Sequence, residues 1–184
     1  MAFQLYKGKE PTLISDKTTK ANEDCFTASG QKMAEWEALT PEEREELYKQ
    51  SVCRKYHPGE TVFCQDDKCR GVYFIKEGLV RVYKITAGGD TVTLRLAKSG
   101  DTLGYRPFLS GQPHLAFAEA LNESIVCFFS AGQMKKLLLE NPRSGFKFLE
   151  KAARELGQAE ERFAEAVTQD VRPPGLDQEC RPSG

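Results

Sequence analysis

The chain lacks a long apolar run and an excess of charge of either sign. It carries 26 basic and 27 acidic side chains in 184 residues, for a net charge of −1. This balance excludes a generally cationic nucleic-acid binder, since phosphate binding needs concentrated Lys and Arg. A mean hydropathy of −0.51 without a run of about 18 apolar residues excludes a membrane span. Residues 1–9 contain no apolar signal-peptide core, so we expect a cytoplasmic protein with no membrane partner.

Histidine is scarce and the cysteines are widely spaced. There are two His and six Cys, and no cysteine pair has the C-x-x-C spacing. We expect reduced thiols, because persistent disulfides belong to oxidising compartments. Two alternatives stay open: a metal or iron–sulfur cluster, and a redox pair formed by Cys64 and Cys69 across a short turn. The cluster would use Cys53, Cys64, Cys69 and Cys127. We expect Cys127, which lies in an apolar run, to be buried and unreactive.

The patterning predicts a β-rich domain that is preceded by a short helix. Residues 1–35 are polar and lack a sustained apolar period, which predicts a poorly ordered arm. Thr40, Pro41 and Glu43 have the spacing of a capping box at a helix start. Short β-type runs separated by Gly-containing turns then continue from Tyr56 to Phe129. This spacing predicts an antiparallel sandwich or barrel.

The C-terminal part of the chain has a helical pattern. Ser130 and Gln133 have the spacing of a second capping box, and a longer helix is predicted from about 143 to 169. Apolar or small residues recur there at alternating spacings of three and four, namely Leu149, Ala152, Leu156, Ala159, Phe163 and Ala166. This is a heptad seam, and it predicts a homodimer; the alternative is an ordinary amphipathic helix on its own core. Pro173, Pro174 and Gly175 end the pattern, which predicts a disordered tail at 171–184.

Several stretches resemble the sensory half of the Crp/Fnr family of bacterial transcription regulators, and most closely its Fnr branch. They are Tyr56–Glu60, Ile75–Gly78, Gly100–Tyr105 and the run from Ser110 to Cys127 that contains Ala118-Glu119-Ala120-Leu121. The resemblance implies a mainly β fold with flanking helices: a cyclic-nucleotide-binding-domain-like antiparallel β-roll (a cupin-like jelly roll) followed by a long dimerisation helix. It places the sensor roll at 36–142 and the dimerisation helix at 143–170.

The resemblance also locates a ligand pocket. The segment after Gly100-Asp101 is similar to a phosphate cassette, in which a Glu holds the ribose and an Arg followed by Ser or Thr binds the cyclic phosphate. Tyr105, His114 and Leu115 occupy those three positions here, so we expect cAMP and cGMP not to bind. The implied pocket, between the roll and the dimerisation helix, is lined by Leu103, Gly104, Tyr105, Arg106, His114 and Leu115.

Other cofactors of the resembled family fit the sequence poorly. Iron–sulfur members use clustered arm cysteines plus one in the roll; Cys127 matches the roll position, but the arm offers only Cys25. Haem would need an axial ligand such as His57 or His114, which we expect to be a surface residue and a loop residue respectively. The cofactor is therefore unknown, with haem and iron–sulfur as alternatives.

The sequence predicts a signal-sensing and dimerisation domain, and not an enzyme. It has no Ser-His-Asp set, P-loop or paired carboxylate site, and a cupin-type metal enzyme would need more His. Family members continue into a helix-turn-helix domain, which this chain lacks, so we expect DNA as a partner only of a longer form. The alternatives are a stand-alone regulatory protein and a redox or metal-cofactor sensor, and the signal is an unidentified small molecule or redox change.

Overall fold

The computed structural model describes residues 12–13, 36 and 38–170. Along these residues the elements are β1 (Thr12–Leu13), α1 (Pro41–Lys49), β2 (Val52–Tyr56), β3 (Thr61–Phe63), β4 (Gly71–Glu77), β5 (Leu79–Ile85), β6 (Thr91–Lys98), β7 (Thr102–Leu103), α2 (Tyr105–Ser110), β8 (Phe117–Ala120), β9 (Ser124–Ser130), α3 (Ala131–Glu140) and α4 (Pro142–Asp170). The predicted mainly β fold with flanking helices and a long C-terminal helix is confirmed.

The strands form two antiparallel sheets. One has the order β1-β2-β9-β4-β7 and the other has the order β3-β8-β5-β6. Both sheets contribute to one buried apolar core, which contains Tyr56, Val62, Phe63, Ile75, Val80, Ala97, Leu103, Ala118, Ala120 and Val126. Each sheet therefore buries one face in the interior of the roll, as packed antiparallel sheets do.

Aromatic side chains form a second buried cluster. Trp36 lies 5.5 to 6.1 Å, between ring centroids, from Phe74, Phe129 and Phe148. All four side chains are at most 1% exposed. The indole Nε1–H of Trp36 donates to Oγ1 of Thr102 at 3.0 Å, so the polar atom of this ring has a partner despite its burial.

Both predicted capping boxes are confirmed. Oγ1 of Thr40 accepts from the Glu43 amide at 3.2 Å, while the Glu43 carboxylate accepts from the Thr40 amide at 2.7 Å. At α3, Oγ of Ser130 accepts from the Gln133 amide at 3.3 Å, and the Gln133 side chain accepts from the Ser130 amide at 2.6 Å. Each helix thus begins with its first free amides satisfied.

Two residues of the predicted arm lie in a strand. Thr12–Leu13 form β1 and pair with Lys55 and Arg54 of β2, and the poorly ordered arm as a whole stays a prediction. An extended segment can satisfy its backbone on an open strand whatever its composition. The remaining residues of that arm, including Cys25, and the 171–184 tail with Cys180 lie outside the described residues.

The chain separates into two units between Phe148 and Leu149. The described part of the first unit contains both sheets, and the second contains most of α4. The division of the sequence at residues 142 and 143 into sensor and dimerisation segments stays a prediction. Among the described helices, none combines the length and the apolar character needed to cross a bilayer.

Candidate ligand-binding site

A single glycine introduces the segment that the sequence predicts to form the pocket. Gly104 precedes α2 with a φ of +76°, a conformation that costs other L-residues roughly 1–2 kcal/mol. A Cβ at this position would lie 3.3 Å from the Gly71 carbonyl oxygen, from Cε1 of His114 and from Cδ2 of Tyr73. Gly104 therefore permits both the turn into α2 and the close approach of His114 and Tyr73.

His114 is buried against aromatic rings. It is 2% exposed, and its ring stacks on Phe63 with 4.1 Å between centroids and 16° between planes. Its backbone N–H donates to the Asp67 carbonyl at 2.9 Å, and its own carbonyl accepts from the Asp66 amide at 2.8 Å. Burial lowers the pKa of His114, with a smaller opposing effect of Asp67. The position that the resemblance assigns to a phosphate-binding cation thus holds a ring kept neutral by its surroundings.

Two further aromatic residues continue the wall behind His114. Tyr73 lies 5.2 Å from Phe63 and 5.0 Å from Phe128, between ring centroids. Burial is the main cause that raises the pKa of Tyr73 to about 12, so its hydroxyl stays protonated near neutral pH. Sequence reasoning did not select Phe63, Tyr73 or Phe128 for the site. Tyr73 lies on β4, which pairs with β7 at the start of the cassette, but no local pattern in the sequence indicates the contact of Phe63 with His114 or of Phe128 with Tyr73.

The six residues predicted to line the pocket lie in different environments. Leu103 is part of the roll core, and Gly104 lies beside His114 as described above. Tyr105 is 2% exposed, with its ring centroid 5.9 Å from that of Phe148 in the aromatic cluster. Arg106 and Leu115 are exposed, Leu115 to 62%. The pocket as a set of six residues stays a prediction.

A partly buried ion pair lies on the neighbouring strands β5 and β8. Arg81 and Glu119 are register partners, and their side chains approach to 3.4 Å. The Arg81 guanidinium also lies 4.5 Å from the centroid of the Tyr83 ring. Glu119 belongs to the Ala-Glu-Ala-Leu run that carried the family resemblance. Its observed role is thus to pair with Arg81 across the sheet, which sequence reasoning missed.

The cysteines differ from the sequence prediction. Cys53 and Cys127 form a disulfide, so the expectation of reduced thiols and of an unreactive Cys127 is wrong for this pair, although Cys127 is buried as predicted. Cys64 and Cys69 are free, so the predicted redox pair between them is not formed. The pairing of β2 with β9 places Cys53 opposite Cys127. The spacing of the cysteines along the chain does not indicate this pairing.

The two free thiols are partly buried. Burial is the main cause that raises the pKa of Cys64, with a further contribution from Asp67. Burial likewise raises the pKa of Cys69, whose thiol donates to the Gly71 and Gly104 carbonyls at 3.3 and 3.6 Å. Within the described part of the chain, no three His, Cys, Asp or Glu side chains are grouped to hold a metal ion. In this structure the four cysteines of the predicted cluster are divided between one disulfide and two free thiols, and the cluster stays a prediction.

His57, the other candidate haem ligand, lies on the surface as expected. Its Nδ1 is 3.1 Å from a Glu123 carboxylate oxygen, and its side chain is 56% exposed. Lys55 contacts the other oxygen of Glu123 at 2.5 Å. Hydrogen bonding to Lys55 is the first cause that lowers the pKa of Glu123. The two His side chains thus occupy an exposed ion pair and a buried aromatic stack.

Helix α4 presents an apolar stripe in the second unit. Leu149, Leu156 and Phe163 follow one another at intervals of seven residues and are 57%, 51% and 71% exposed. The smaller seam positions are Ala152, Ala159 and Ala166. Repeated exposed apolar side chains at heptad spacing are typical of a helix that meets a partner helix.

Residues 53–141 match the family model of the cyclic nucleotide-binding domain. Two curated relatives are similar to this chain. Transcriptional activatory protein AadR of Rhodopseudomonas palustris is 28% identical over 125 residues, covering 68% of this chain and 51% of that protein. Nitrogen fixation regulation protein FixK of Bradyrhizobium diazoefficiens is 35% identical over 104 residues, covering 56% and 43%. The chain thus spans about half the length of the curated relatives it matches.

A solved structure shows the same fold. The catabolite activator protein of Thermus thermophilus aligns with a TM-score of 0.66 and 23% identity, covering 73% of this chain and 63% of that one. The two sheets with their flanking helices therefore have the fold of a cyclic nucleotide-binding domain. The resemblance to the Crp/Fnr family that the sequence motifs indicated is therefore confirmed by the domain match and by the curated relatives, which are regulators.

Proposed function

We propose that the chain is the signal-sensing and dimerisation domain of a Crp/Fnr-type transcription regulator whose roll does not bind cyclic nucleotides. The match to the cyclic nucleotide-binding domain supports the sensory role, and the curated relatives are regulators, which argues against an enzyme. The observation that carries the loss of nucleotide binding is the stack of His114 on Phe63. A neutral, aromatic-bound imidazole does not supply the charge that a cyclic phosphate requires.

The other two substituted positions support the same proposal. Tyr105, at the position of the ribose-binding Glu, is buried beside Phe148 and brings no carboxylate. Leu115, at the hydroxyl position, is exposed and has no side-chain donor. A phosphate bound at this site would lose that hydrogen bond, at a cost of about 1–3 kcal/mol.

Calorimetric titration of the full chain with cAMP and with cGMP tests the proposal. We expect no binding heat up to millimolar nucleotide. A dissociation constant near 1 μM, which is about −8 kcal/mol, would contradict the proposal. In that event the titration of Arg106→Ala would show whether this exposed guanidinium holds the phosphate.

The dimerisation role rests on α4. A second copy of this helix would cover the stripe of Leu149, Leu156 and Phe163, each more than half exposed in the single chain. Signal binding would then shift the population between two dimer geometries. We expect DNA recognition to need a helix-turn-helix domain, as in the resembled family, and the cytoplasmic location expected from the sequence is part of the same proposal.

A redox sensor is the second candidate function. The disulfide between Cys53 and Cys127 favours it, because a sensor that has lost its nucleotide determinants needs another signal. This candidate shares the dimeric regulator architecture and differs from the first only in specifying the signal.

A further inference from the structure

Cys53 and Cys127 are held together by the sheet itself. They are 74 residues apart in sequence, and they lie directly opposite each other on β2 and β9 with their Cα atoms 3.9 Å apart. Val52 pairs with Phe128 and Arg54 pairs with Val126 on either side. Because this ladder does not depend on the sulfur–sulfur bond, the two thiols remain neighbours after reduction. Reoxidation is then an intramolecular reaction at high effective concentration.

The two sulfurs have different surroundings. Cys127 is 0% exposed and is the register partner of Phe74 in β4. Cys53 is partly exposed, and the hydroxyl oxygens of Tyr48 and Ser51 lie 3.7 and 3.8 Å from its Sγ. Hydroxyl groups at this distance can donate to a thiolate and stabilise it. Cys53 is thus the more exposed residue of the pair, which makes it the site of attack by an external thiol in the mechanism below, and Cys127 is the internal partner.

We propose that Cys53 and Cys127 form a reversible thiol–disulfide site, and that this site receives the signal of the sensor domain. The proposal rests on the sensory function proposed above and specifies its input as a dithiol reductant or a disulfide oxidant. Cys64 and Cys69 do not serve this purpose, because Cys69 donates its proton to two backbone carbonyls and neither thiol is bonded to another.

A dithiol reduces the Cys53–Cys127 disulfide in two thiol–disulfide exchange steps. A thiolate of the reductant attacks Sγ of Cys53, the bond to Cys127 breaks, and its electron pair stays on the Cys127 sulfur, which takes up a proton. The second thiol of the reductant then attacks the mixed disulfide and releases Cys53. In total, one disulfide and one dithiol give a protein dithiol and an oxidised reductant. An external disulfide reverses both steps.

The Cys53–Cys127 disulfide cross-links two parts of the roll whose other covalent connection is the backbone between them. Helix α1 contacts the site through Tyr48, and it is tied to the α3 region at both ends. The side-chain amide of Gln133 donates to the Gln50 carbonyl at 2.5 Å, and that of Asn141 donates to the Glu43 carboxylate at 3.2 Å. Strand β9, which carries Cys127, continues directly into α3. Reduction therefore removes the covalent link between the α1–β2 segment and the β9–α3 segment.

The test uses the full chain and a variant in which Cys25, Cys64, Cys69 and Cys180 are all replaced by Ser. Both proteins are equilibrated without denaturant over a series of ratios of reduced to oxidised dithiothreitol, then alkylated and weighed by mass spectrometry. We expect one two-electron transition, reversible from either side and equal in the two proteins. The same transition should be absent from Cys53→Ser.

Hydrogen exchange of the oxidised and reduced forms measures the structural response. We expect amides of α1 and β2 to exchange about tenfold faster after reduction, because local opening is no longer restrained by the bond. Two thiols that never oxidise, a bond that is reduced only in denaturant, or equal exchange in the two forms would each overturn the proposal. Binding of cAMP or cGMP in the calorimetric titration would instead contradict the proposed function. It would not by itself contradict the thiol–disulfide site.

Discussion

The imidazole ring of His114 and the phenyl ring of Phe63 stack at 4.1 Å, with their planes 16° apart. The contact joins the loop before β8 to the end of β3. It fixes a titratable side chain in an apolar environment, where the charged form is disfavoured. This relationship underlies the proposed loss of phosphate binding, and it predicts that the stability of the roll depends on pH.

We expect acid to destabilise the protein through His114. Burial lowers its pKa in the folded state, whereas the unfolded chain binds the proton near pH 6.5. The contribution of His114 to stability is therefore complete above pH 6.5 and is lost as the pH falls through the folded-state pKa. Urea unfolding between pH 7.5 and 5 should show a steeper loss for the wild type than for His114→Phe, which keeps an aromatic ring. Parallel pH curves for the two proteins would disprove this explanation.

Substitution of the α4 stripe should separate the dimer. Leu156→Glu combined with Phe163→Glu places four negative charges along the seam of two helices, and we expect monomers by light scattering. Gln158→Glu combined with Ala164→Glu changes the charge by the same amount at exposed positions outside the seam and should leave a dimer. An unchanged dimer in the first variant would show that the interface lies elsewhere.

Gly104 and Gly111 have similar backbone angles but different surroundings. Substitutions at these two positions therefore distinguish backbone strain from steric contact. Gly104 and Gly111 have φ values of +76° and +70°, but a Cβ at Gly111 would meet nothing within 4 Å. We expect Gly111→Ala to lower the free energy of unfolding by about 1–2 kcal/mol for the backbone angle alone. Gly104→Ala should cost more, because Gly71, Tyr73 and His114 must also move. Equal losses in chemical denaturation would mean that these neighbours adjust freely.

The N-cap of α3 should make a measurable contribution to stability. Ser130→Ala removes the oxygen that accepts from the Gln133 amide, and we expect a loss of about 1 kcal/mol in the free energy of unfolding. Ser110→Ala, at an exposed serine whose hydroxyl donates to the Pro107 carbonyl at 3.4 Å, should change stability by less than about 0.5 kcal/mol. Losses of the same size in both variants would contradict the capping role.

Much of the local structure and of the fold could be predicted from sequence. The two capping boxes depend on residues three positions apart, and both are present in the structure. Gly-containing turns and short β-type runs indicated the roll, and the motifs around Gly104 and Glu119 indicated its family. Strand β2 was missed except for its last residue, because Val-Cys-Arg-Lys-Tyr has no clear alternation of apolar and polar residues.

The site itself was decided by contacts between distant parts of the chain. The resemblance placed His114 at the position of the phosphate-binding Arg from residue type alone, and that assignment stays a prediction. Its neighbour Phe63 is 51 positions earlier, and no local pattern indicates that the two rings meet. Tyr105 shows the same limit: its place in the cassette was read from the motif, but its position beside Phe148 depends on how α4 begins.

The sequence by itself determined the class of fold, the helix starts, the heptad stripe of α4 and the absence of the nucleotide-binding residue types, because each depends on residue identity or short-range spacing. Only the tertiary structure decided that Cys53 pairs with Cys127 and that Cys64 and Cys69 are free thiols. Strand register fixes these pairings, and register is set by the burial of whole sheet faces. A cysteine 74 residues away in sequence can therefore be the nearest neighbour, while one five residues away is not a partner.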